Sequence, residues 1–406
     1  GNKIVLIGNT LAERQQHFGN FETLLHARYP DHQLVVRNLG WSADELTLRP
    51  RSASFADHGH KLTDHKPDVI FAFFGFNESF GGEAGVAKFK SDLEKFIQES
   101  TTTKYNGNNP PQLVLFSPIA HENLGKRELP DGSANNKNIA LYTAAMKEVA
   151  AKANVLFVDL FTPSQKQMAD SKQKWTINGI HLNEYGDEQL AKIMYTGLFG
   201  DTPAKLSDLA KLKAEVNEKS LQFWYDHRAV NGFYIYGGRK APFGVVNFPA
   251  EFAKLRKMIA KRDERIWAVA KGQSVTATID DSDTGDFTPI ETNFKGVINV
   301  TPPSESMKKM TLPEGYAVNL FASEIEFPEL ENPVQITFAI FARHPAELQD
   351  SDSGRHQRRR PGRQENRVCR QAACADRIGS CRRRSLRRTA AEPYVSEGRQ
   401  WRRCGR

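Results

Sequence analysis

The sequence predicts an α/β fold: a three-layer α/β/α domain with a parallel five-stranded sheet over about residues 1–200. Short apolar runs rich in β-branched and aromatic residues recur, and most lack polar alternation, as is typical of strands buried on both faces. Helical patterns separate these runs with short links, which favours a parallel sheet covered by helices. The five runs are IVLIG (4–8), LVVRNL (34–39), VIFAFFG (69–75), LVLFSP (113–118) and VLFVDL (155–160).

Three segments between and after the runs have the 3.6-residue apolar period of helices. Residues 86–100 place five apolar side chains on one face, and residues 138–153 show a similar pattern. The third segment, 183–199, begins with Asn183, a residue type that commonly caps helix N-termini. The apolar face of the first segment consists of Val86, Phe89, Leu93, Phe96 and Ile97.

Charge is distributed unevenly along the 406 residues, whose formal net charge is +8. The segment from Ala339 to the end has 18 Arg, no Lys and 7 acidic residues, a net charge of +11. The remainder has 38 basic and 41 acidic residues, a net charge of −3. The high isoelectric point therefore belongs to the tail, and so do all four cysteines, Cys369, Cys374, Cys381 and Cys404.

The predicted organisation divides the chain after the α/β domain into four parts. Residues 201–270 form a helical, aromatic-rich extension, and 271–308 form a polar linker. Residues 309–338, with LPEGYAVNLFAS followed by NPVQITF, resemble the opening of the propeller-like membrane-bound dehydrogenase modules of planctomycete-type multidomain proteins. The tail, 339–406, is expected to be disordered, because apolar periodicity stops after Phe338.

A one-base frameshift is the favoured interpretation of the tail. Back-translation with a choice among synonymous codons and the frame moved by one base lets 347–398 be read as a strand-and-turn sequence that suits the continuation of the module. The alternative, a basic arm that binds nucleic acid, depends on the Arg clusters alone. No nucleic-acid partner is therefore predicted.

Four separated blocks occur in order within the first 200 residues: Gly8-Asn9-Thr10, RNLGWSADE (37–45), Gly75-Phe76-Asn77 and TINGIHLNEYG (176–186). Together they resemble the blocks of the SGNH (GDSL-like) hydrolase family. The resemblance implies a flavodoxin-like sheet with the blocks at the C-terminal ends of its strands. It also implies a hydroxyl nucleophile, Thr10, and a general base, His181, oriented by Asn178.

The same resemblance implies an oxyanion hole formed by the N–H of Gly40 and the side-chain amide of Asn77. Two positions depart from the family pattern, since Thr10 replaces the usual Ser and Asn178 the usual Asp. The extra methyl of Thr crowds the attacking oxygen, and an Asn stabilises imidazolium less than an Asp does. Ser42 and Ser79 are alternative nucleophiles.

The sequence leaves two functions open. One is an ester hydrolase of weak activity, with a carbohydrate O-acetyl ester as a plausible substrate. The other is a non-catalytic module that binds a glycan or a partner. The partner is thus a small-molecule or glycan ester, and no cofactor or metal is predicted.

The location of the protein is open as well. No run of about 18 apolar residues predicts a membrane span. The abrupt start at Gly1 suggests that a signal peptide precedes it. The family resemblance favours an extracytoplasmic location.

Overall fold

The computed structural model describes residues 3–49, 59–228, 245–286, 288, 290, 301–323 and 325. Within them lies one sheet of five parallel strands in the order β2-β1-β3-β4-β5, which confirms the predicted fold class. β1 and β3 pair with Ile4 opposite Val69 and Gly8 opposite Phe73. The strands are β1 (Lys3–Gly8), β2 (Val35–Asn38), β3 (Val69–Phe73), β4 (Gln112–Phe116) and β5 (Leu156–Val158).

Helices connect the strands and continue beyond the sheet. The three predicted helical segments are present, although the first begins four residues earlier than expected, at Gly82, and the second begins five residues earlier, at Ser133. The helices are α1 (Thr10–Phe18), α2 (Asn20–Arg28), α3 (Leu62–His65), α4 (Gly82–Thr102), α5 (Ser133–Lys152), α6 (Phe161–Asp170), α7 (Glu184–Phe199), α8 (Ala210–Arg228), α9 (Val245–Ala270) and α10 (Pro303–Lys308). Short 3₁₀ turns lie at Glu78–Gly81, Leu206–Leu209 and Ser282–Thr284.

Apolar side chains cover the sheet on both faces. Leu6 and Phe116 belong to a core shared with α1, α2 and α7, whereas Val5 and Ile70 belong to a second core shared with α4 and α5. Neighbouring residues of one strand thus enter different cores, because successive side chains point to opposite faces. This explains why the strand sequences are apolar without alternation.

The helices α8 and α9 pack against each other and against the β2 side of the domain. Arg37 of β2 pairs with Asp263 of α9, and Trp267 donates its indole N–H to the carbonyl of Leu34 at 2.8 Å. Lys219 of α8 is buried and binds Glu22 of α2 at 2.7 Å. The predicted extension is therefore joined to the domain by buried polar contacts as well as by apolar ones.

The chain divides into two compact units. In the second, described residues 301–323 and 325 contain α10, and the apolar side chains that follow it, such as Tyr316 and Phe321, are exposed. Residues 339–406, for which a disordered frameshifted tail is predicted, lie outside the described residues. A search of the described helices finds none that is long and apolar enough to cross a membrane.

Candidate active site

A pocket of about 240 Å³ lies at the C-terminal edge of the sheet. Three of the predicted site residues, Thr10, Asn77 and His181, line it together. The carboxyl ends of parallel strands meet at one edge, and ligands commonly bind there in open α/β sheets. The remaining walls are mainly apolar, and they include Leu11, Phe73, Phe74, Phe76, Pro118, Ile119, Ile180 and Leu182.

Thr10 enters the pocket because β1 turns sharply into α1. A side chain at Gly8 would place its Cβ 2.1 Å from the carbonyl oxygen of Phe73, so only Gly allows β1 and β3 to run this close at their ends. Asn9 caps α1, since its Oδ1 accepts from the N–H of Leu11 at 3.0 Å. The capping role belongs to Asn9, which leaves the hydroxyl of Thr10 at the pocket.

The loop after β2 brings an N–H group to Thr10, but it is not the N–H of Gly40. Gly40 donates its N–H to Oδ1 of Asn38 at 2.9 Å and does not line the pocket. Its lack of a side chain serves packing, because a Cβ would lie 2.7 Å from the backbone nitrogen of Glu13 in α1. The N–H of Ala43 instead lies 3.3 Å from Oγ1 of Thr10.

Ala43 has a left-handed backbone with φ of 65°. Residues other than Gly adopt this region at a cost of order 1–3 kcal/mol and do so often at functional sites. The unusual conformation turns the N–H of Ala43 toward the pocket that Asn77 also lines.

Asn77 and Glu78 connect the two loops that supply these donors. The side-chain amide of Asn77 donates to the carbonyl of Asp44 at 3.4 Å, a long and weak bond. The carboxylate of Glu78 accepts from the N–H of Leu46 at 2.9 Å and from the N–H of Gly75 at 2.8 Å. Burial raises the pKa of Glu78 above its ordinary value. Glu78 thus holds the β2 loop and the β3 loop at a fixed spacing.

His181 lies on a tight hairpin between Trp175 and Asn183. The N–H of Ile177 donates to the carbonyl of His181 at 2.9 Å, and the N–H of Asn183 donates to the carbonyl of Trp175 at 2.8 Å. The buried carboxylate of Glu122 binds this hairpin, since it accepts from the N–H of Thr176 at 2.8 Å and from the hydroxyl of Thr176 at 2.7 Å. Glu122 therefore positions the His181 loop.

The amide of Asn178 determines which ring nitrogen of His181 carries the proton. Its Oδ1 accepts from the backbone N–H groups of His181 at 3.0 Å and of Ile180 at 3.3 Å, so its NH₂ group is the part that faces the ring. The NH₂ nitrogen lies 2.9 Å from Nδ1 of His181, and because it can only donate, Nδ1 must accept. A neutral imidazole has one N–H, which is then on Nε2.

This tautomer is the reverse of the one a general base requires. In a Ser-His-Asp triad the acid accepts from Nδ1–H and leaves the lone pair of Nε2 free to take the nucleophile's proton. Here Nε2 of His181 is a donor. Thr10 and His181 are both described, and no hydrogen bond joins the threonine hydroxyl to the ring.

Arg14 gives the pocket its positive charge. It is the one charged residue among the described residues that line the pocket, and it donates to the carbonyl of Leu182 at 2.7 Å. Burial, and next the charge of Arg14, lower the pKa of His181 below its ordinary 6.5. Asp187, behind Arg14, is buried, and burial raises its pKa to about 7. Because its pKa is lowered, His181 is mainly neutral near neutral pH.

The two alternative nucleophiles are turned away from the pocket. Ser42 donates its hydroxyl to the carboxylate of Glu13, which also pairs with Arg228 at 2.9 Å. Ser79 is buried and donates to the carbonyl of Phe76 at 2.6 Å. Neither serine lines the pocket.

Arg14 and Glu122 stand in no motif of the sequence, and Ala43 lies in the RNLGWSADE block without being singled out there. Ala43 is an ordinary alanine whose role follows from its backbone angle, and Arg14 reaches the pocket because it lies one helical turn after Thr10. Glu122 follows the end of β4, where the polar pair His121-Glu122 could have indicated a buried carboxylate.

Residues 7–189 match the model of the GDSL-like lipase/acylhydrolase family. This segment, which carries all four blocks, is a domain of that family. No curated protein matches the chain.

Several solved structures are similar to about half of the chain. An acetylxylan esterase from Geobacillus stearothermophilus is 15% identical, with 49% of this chain and 94% of that chain covered and a TM-score of 0.37. A second acetyl xylan esterase is 18% identical, with 48% and 100% covered and a TM-score of 0.37. A gut microbial diltiazem-metabolizing enzyme is 16% identical, with 48% and 46% covered and a TM-score of 0.38.

Proposed function

We propose that the pocket is an ester-hydrolase site of low turnover, with Thr10 as nucleophile and His181 as base. The observation that carries this proposal is that Thr10, Asn77, His181 and the N–H of Ala43 meet at one pocket in a GDSL-like domain. Acyl transfer requires a nucleophile, a base and two oxyanion donors around one carbonyl, and the pocket has a group for each of these roles.

In this mechanism the hydroxyl of Thr10 attacks the ester carbonyl and transfers its proton to Nε2 of His181. The ester C–O bond then breaks as His181 gives this proton to the departing alcohol. Water, deprotonated in turn by Nε2, releases the acid from the acyl-threonine and restores the hydroxyl. The developing oxyanion accepts from the N–H of Ala43 and the amide of Asn77, donors of a kind worth about 3–4 kcal/mol each in transition-state stabilisation. Attack requires the minor tautomer of His181, with Nε2 unprotonated, because Asn178 favours the other. The methyl of Thr10 and the neutral amide of Asn178 therefore both reduce turnover.

A carbohydrate O-acetyl ester is the proposed substrate. A pocket of about 240 Å³ accommodates a small acyl group. Phe80, which is 63% exposed, packs edge-on against Phe76 of the pocket wall with ring centroids 5.6 Å apart. An exposed ring beside the pocket provides an apolar face on which a sugar ring can stack.

Hydrolysis of p-nitrophenyl acetate by the full chain tests the proposal. We expect slow turnover in the wild type and only the uncatalysed rate in His181→Ala and Asn77→Ala. Thr102→Ser, a substitution at the far end of α4, is the control and should leave the rate unchanged. Equal rates in the wild type and in His181→Ala would exclude His181 as the base and refute the proposal.

Non-catalytic binding of a glycan or a partner is the second candidate. The specific observation in its favour is the amide of Asn178 facing Nδ1 of His181. If no ester is hydrolysed by the wild type, this candidate replaces the first.

The segment that follows the described helix α10 is proposed to begin a propeller-like module. Two observations support this: the sequence LPEGYAVNLFAS, and the exposure of its apolar side chains, which a complete module would cover.

A further inference from the structure

The donors around the pocket are more numerous than an ester carbonyl requires. Nε2–H of His181, the N–H of Ala43, the amide of Asn77 and the hydroxyl of Thr10 all belong to groups at the pocket. A carbonyl oxygen accepts two hydrogen bonds in an oxyanion hole. A carboxylate has four lone-pair positions and can accept from all four groups, including the N–H of Ala43, whose 3.3 Å contact with Oγ1 of Thr10 is long.

The charge of the pocket agrees with such a ligand. Arg14 is its one charged lining residue within the described chain, and no Asp or Glu lines it there. Glu13 lies nearby but is paired with Arg228 at 2.9 Å. Asn178, which faces Nδ1 of His181, is a neutral amide and supplies no negative charge behind the ring.

We propose that the pocket binds a small carboxylate anion as a stable ligand, through Nε2–H of His181 and the oxyanion donors, with Arg14 supplying the positive field. The inference rests on the pocket to which ester hydrolysis is assigned above. The carboxylate lies where the acyl product of hydrolysis would lie, and its alkyl part contacts the apolar wall formed by Phe76, Ile180 and their neighbours.

Carboxylate binding and ester hydrolysis both depend on the NH₂ group of Asn178. Asn178→Asp replaces it with an oxygen that accepts from Nδ1–H, so Nε2 loses its proton and faces the pocket as a lone pair. The other carboxylate oxygen still accepts from the N–H groups of His181 and Ile180, so the loop retains its hydrogen bonds. One substitution should therefore weaken carboxylate binding and strengthen base catalysis.

Calorimetric titration of the full chain with butyrate and with butyramide at pH 7.5 tests the inference. The two probes share their shape, but only butyrate is charged. We expect butyrate to bind at about 0.1–10 mM, a range in keeping with so small a ligand. Butyramide should bind at least about tenfold more weakly, a difference of roughly 1.4 kcal/mol.

Asn178→Asp should lower the affinity for butyrate at least tenfold. Asn109→Asp introduces the same change in an exposed turn just before β4, at the opposite edge of the sheet, and should leave the affinity unchanged. Equal affinity for butyrate and butyramide, or unaltered butyrate binding in Asn178→Asp, would overturn the inference.

The two proposals fail separately in this design. Charge-selective binding without ester hydrolysis in any variant supports the carboxylate site and refutes the hydrolase. Hydrolysis without charge-selective binding does the reverse.

Discussion

At the scale of single residues, two substitutions determine the chemistry of the pocket. Thr10 adds a methyl beside the attacking oxygen, and Asn178 replaces a hydrogen-bond acceptor with a donor at Nδ1 of His181. Hydrogen bonds hold the backbone at both positions, since Asn9 caps α1 and Oδ1 of Asn178 accepts from the N–H of His181. The amide of Asn178 therefore favours the tautomer of His181 in which Nε2 donates, which suits anion binding better than base catalysis.

Thr10→Ser should increase p-nitrophenyl acetate turnover by roughly tenfold, which corresponds to about 1.4 kcal/mol of barrier. The reason is that removal of the methyl relieves crowding and frees χ1. Steady-state rates of the purified full chain give the measurement. Unchanged turnover in Thr10→Ala would show that Thr10 is not the nucleophile.

Much of the site can be predicted from the sequence, residue by residue. Thr10 and Asn77 stand in short motifs after apolar strands, and His181 stands in a motif before a helix. These patterns predict that the three meet at one edge of the sheet, where all of them line the pocket, whereas their chemical roles stay predictions. Gly40 was expected in the oxyanion hole, but its N–H is bonded to Asn38. The donor at the pocket is Ala43, and its left-handed backbone angle depends on the loop's tertiary contacts, which leave no signal in sequence.

At the scale of elements, a buried carboxylate anchors the His181 hairpin. Glu122 follows the end of β4 and accepts from the backbone of Trp175 and Thr176. Its own N–H donates to the carbonyl of Gly179 at 2.8 Å. The position of His181 relative to α1 therefore depends on a residue that does not line its pocket.

Glu122→Gln should destabilise the protein by about 1–3 kcal/mol, because the new NH₂ group would face backbone donors in a buried site. It should also weaken butyrate binding by displacing His181. Urea unfolding and the butyrate titration provide the two readouts. Glu128→Gln in an exposed turn is the matched control, and equal stability of the two variants would contradict the anchoring role.

At the scale of the whole molecule, a histidine cluster lies between the sheet domain and α8, with His60 and His227 buried and His65 partly buried. Nδ1 of His60 lies 3.2 Å from Nε2 of His65, and the ring of His60 lies 5.0 Å from that of His227 in α8. Asp226 approaches Nε2 of His60 at 3.3 Å. Burial is the main cause that lowers the pKa of His65, to about 3, and the pKa of His227 falls well below 6.5 for the same reason.

The cluster should make the protein less stable in acid. The unfolded chain takes up a proton on His65 near pH 6.5, whereas the folded chain does so only near pH 3, so stability falls as the pH decreases through that window. The His65→Gln substitution should remove about 1–2 kcal/mol of the decrease in unfolding free energy between pH 7.5 and 5.0. Urea unfolding at the two pH values gives the measurement. His32→Gln, in an exposed turn, is the control, and an identical pH dependence in all three proteins would contradict the prediction.

The tail stays a prediction, since residues 339–406 lie outside the described residues. The loss of Lys and of apolar periodicity after Phe338 favours a frameshift. Resequencing of the gene around the codon for Phe338 is expected to reveal a one-base change. A confirmed open frame, with a tail that resists protease, would restore the basic-arm hypothesis.

The protonation state of the His181 ring tests the central claim most directly. Nitrogen-15 NMR of histidine-labelled full chain at pH 7.5, with the His181 signals assigned by comparison with His181→Gln, reports which ring nitrogen carries hydrogen. We predict a protonated Nε2 and an unprotonated Nδ1 in the wild type, and the reverse in Asn178→Asp. A wild-type ring protonated on Nδ1 would contradict both the assigned role of Asn178 and the carboxylate site.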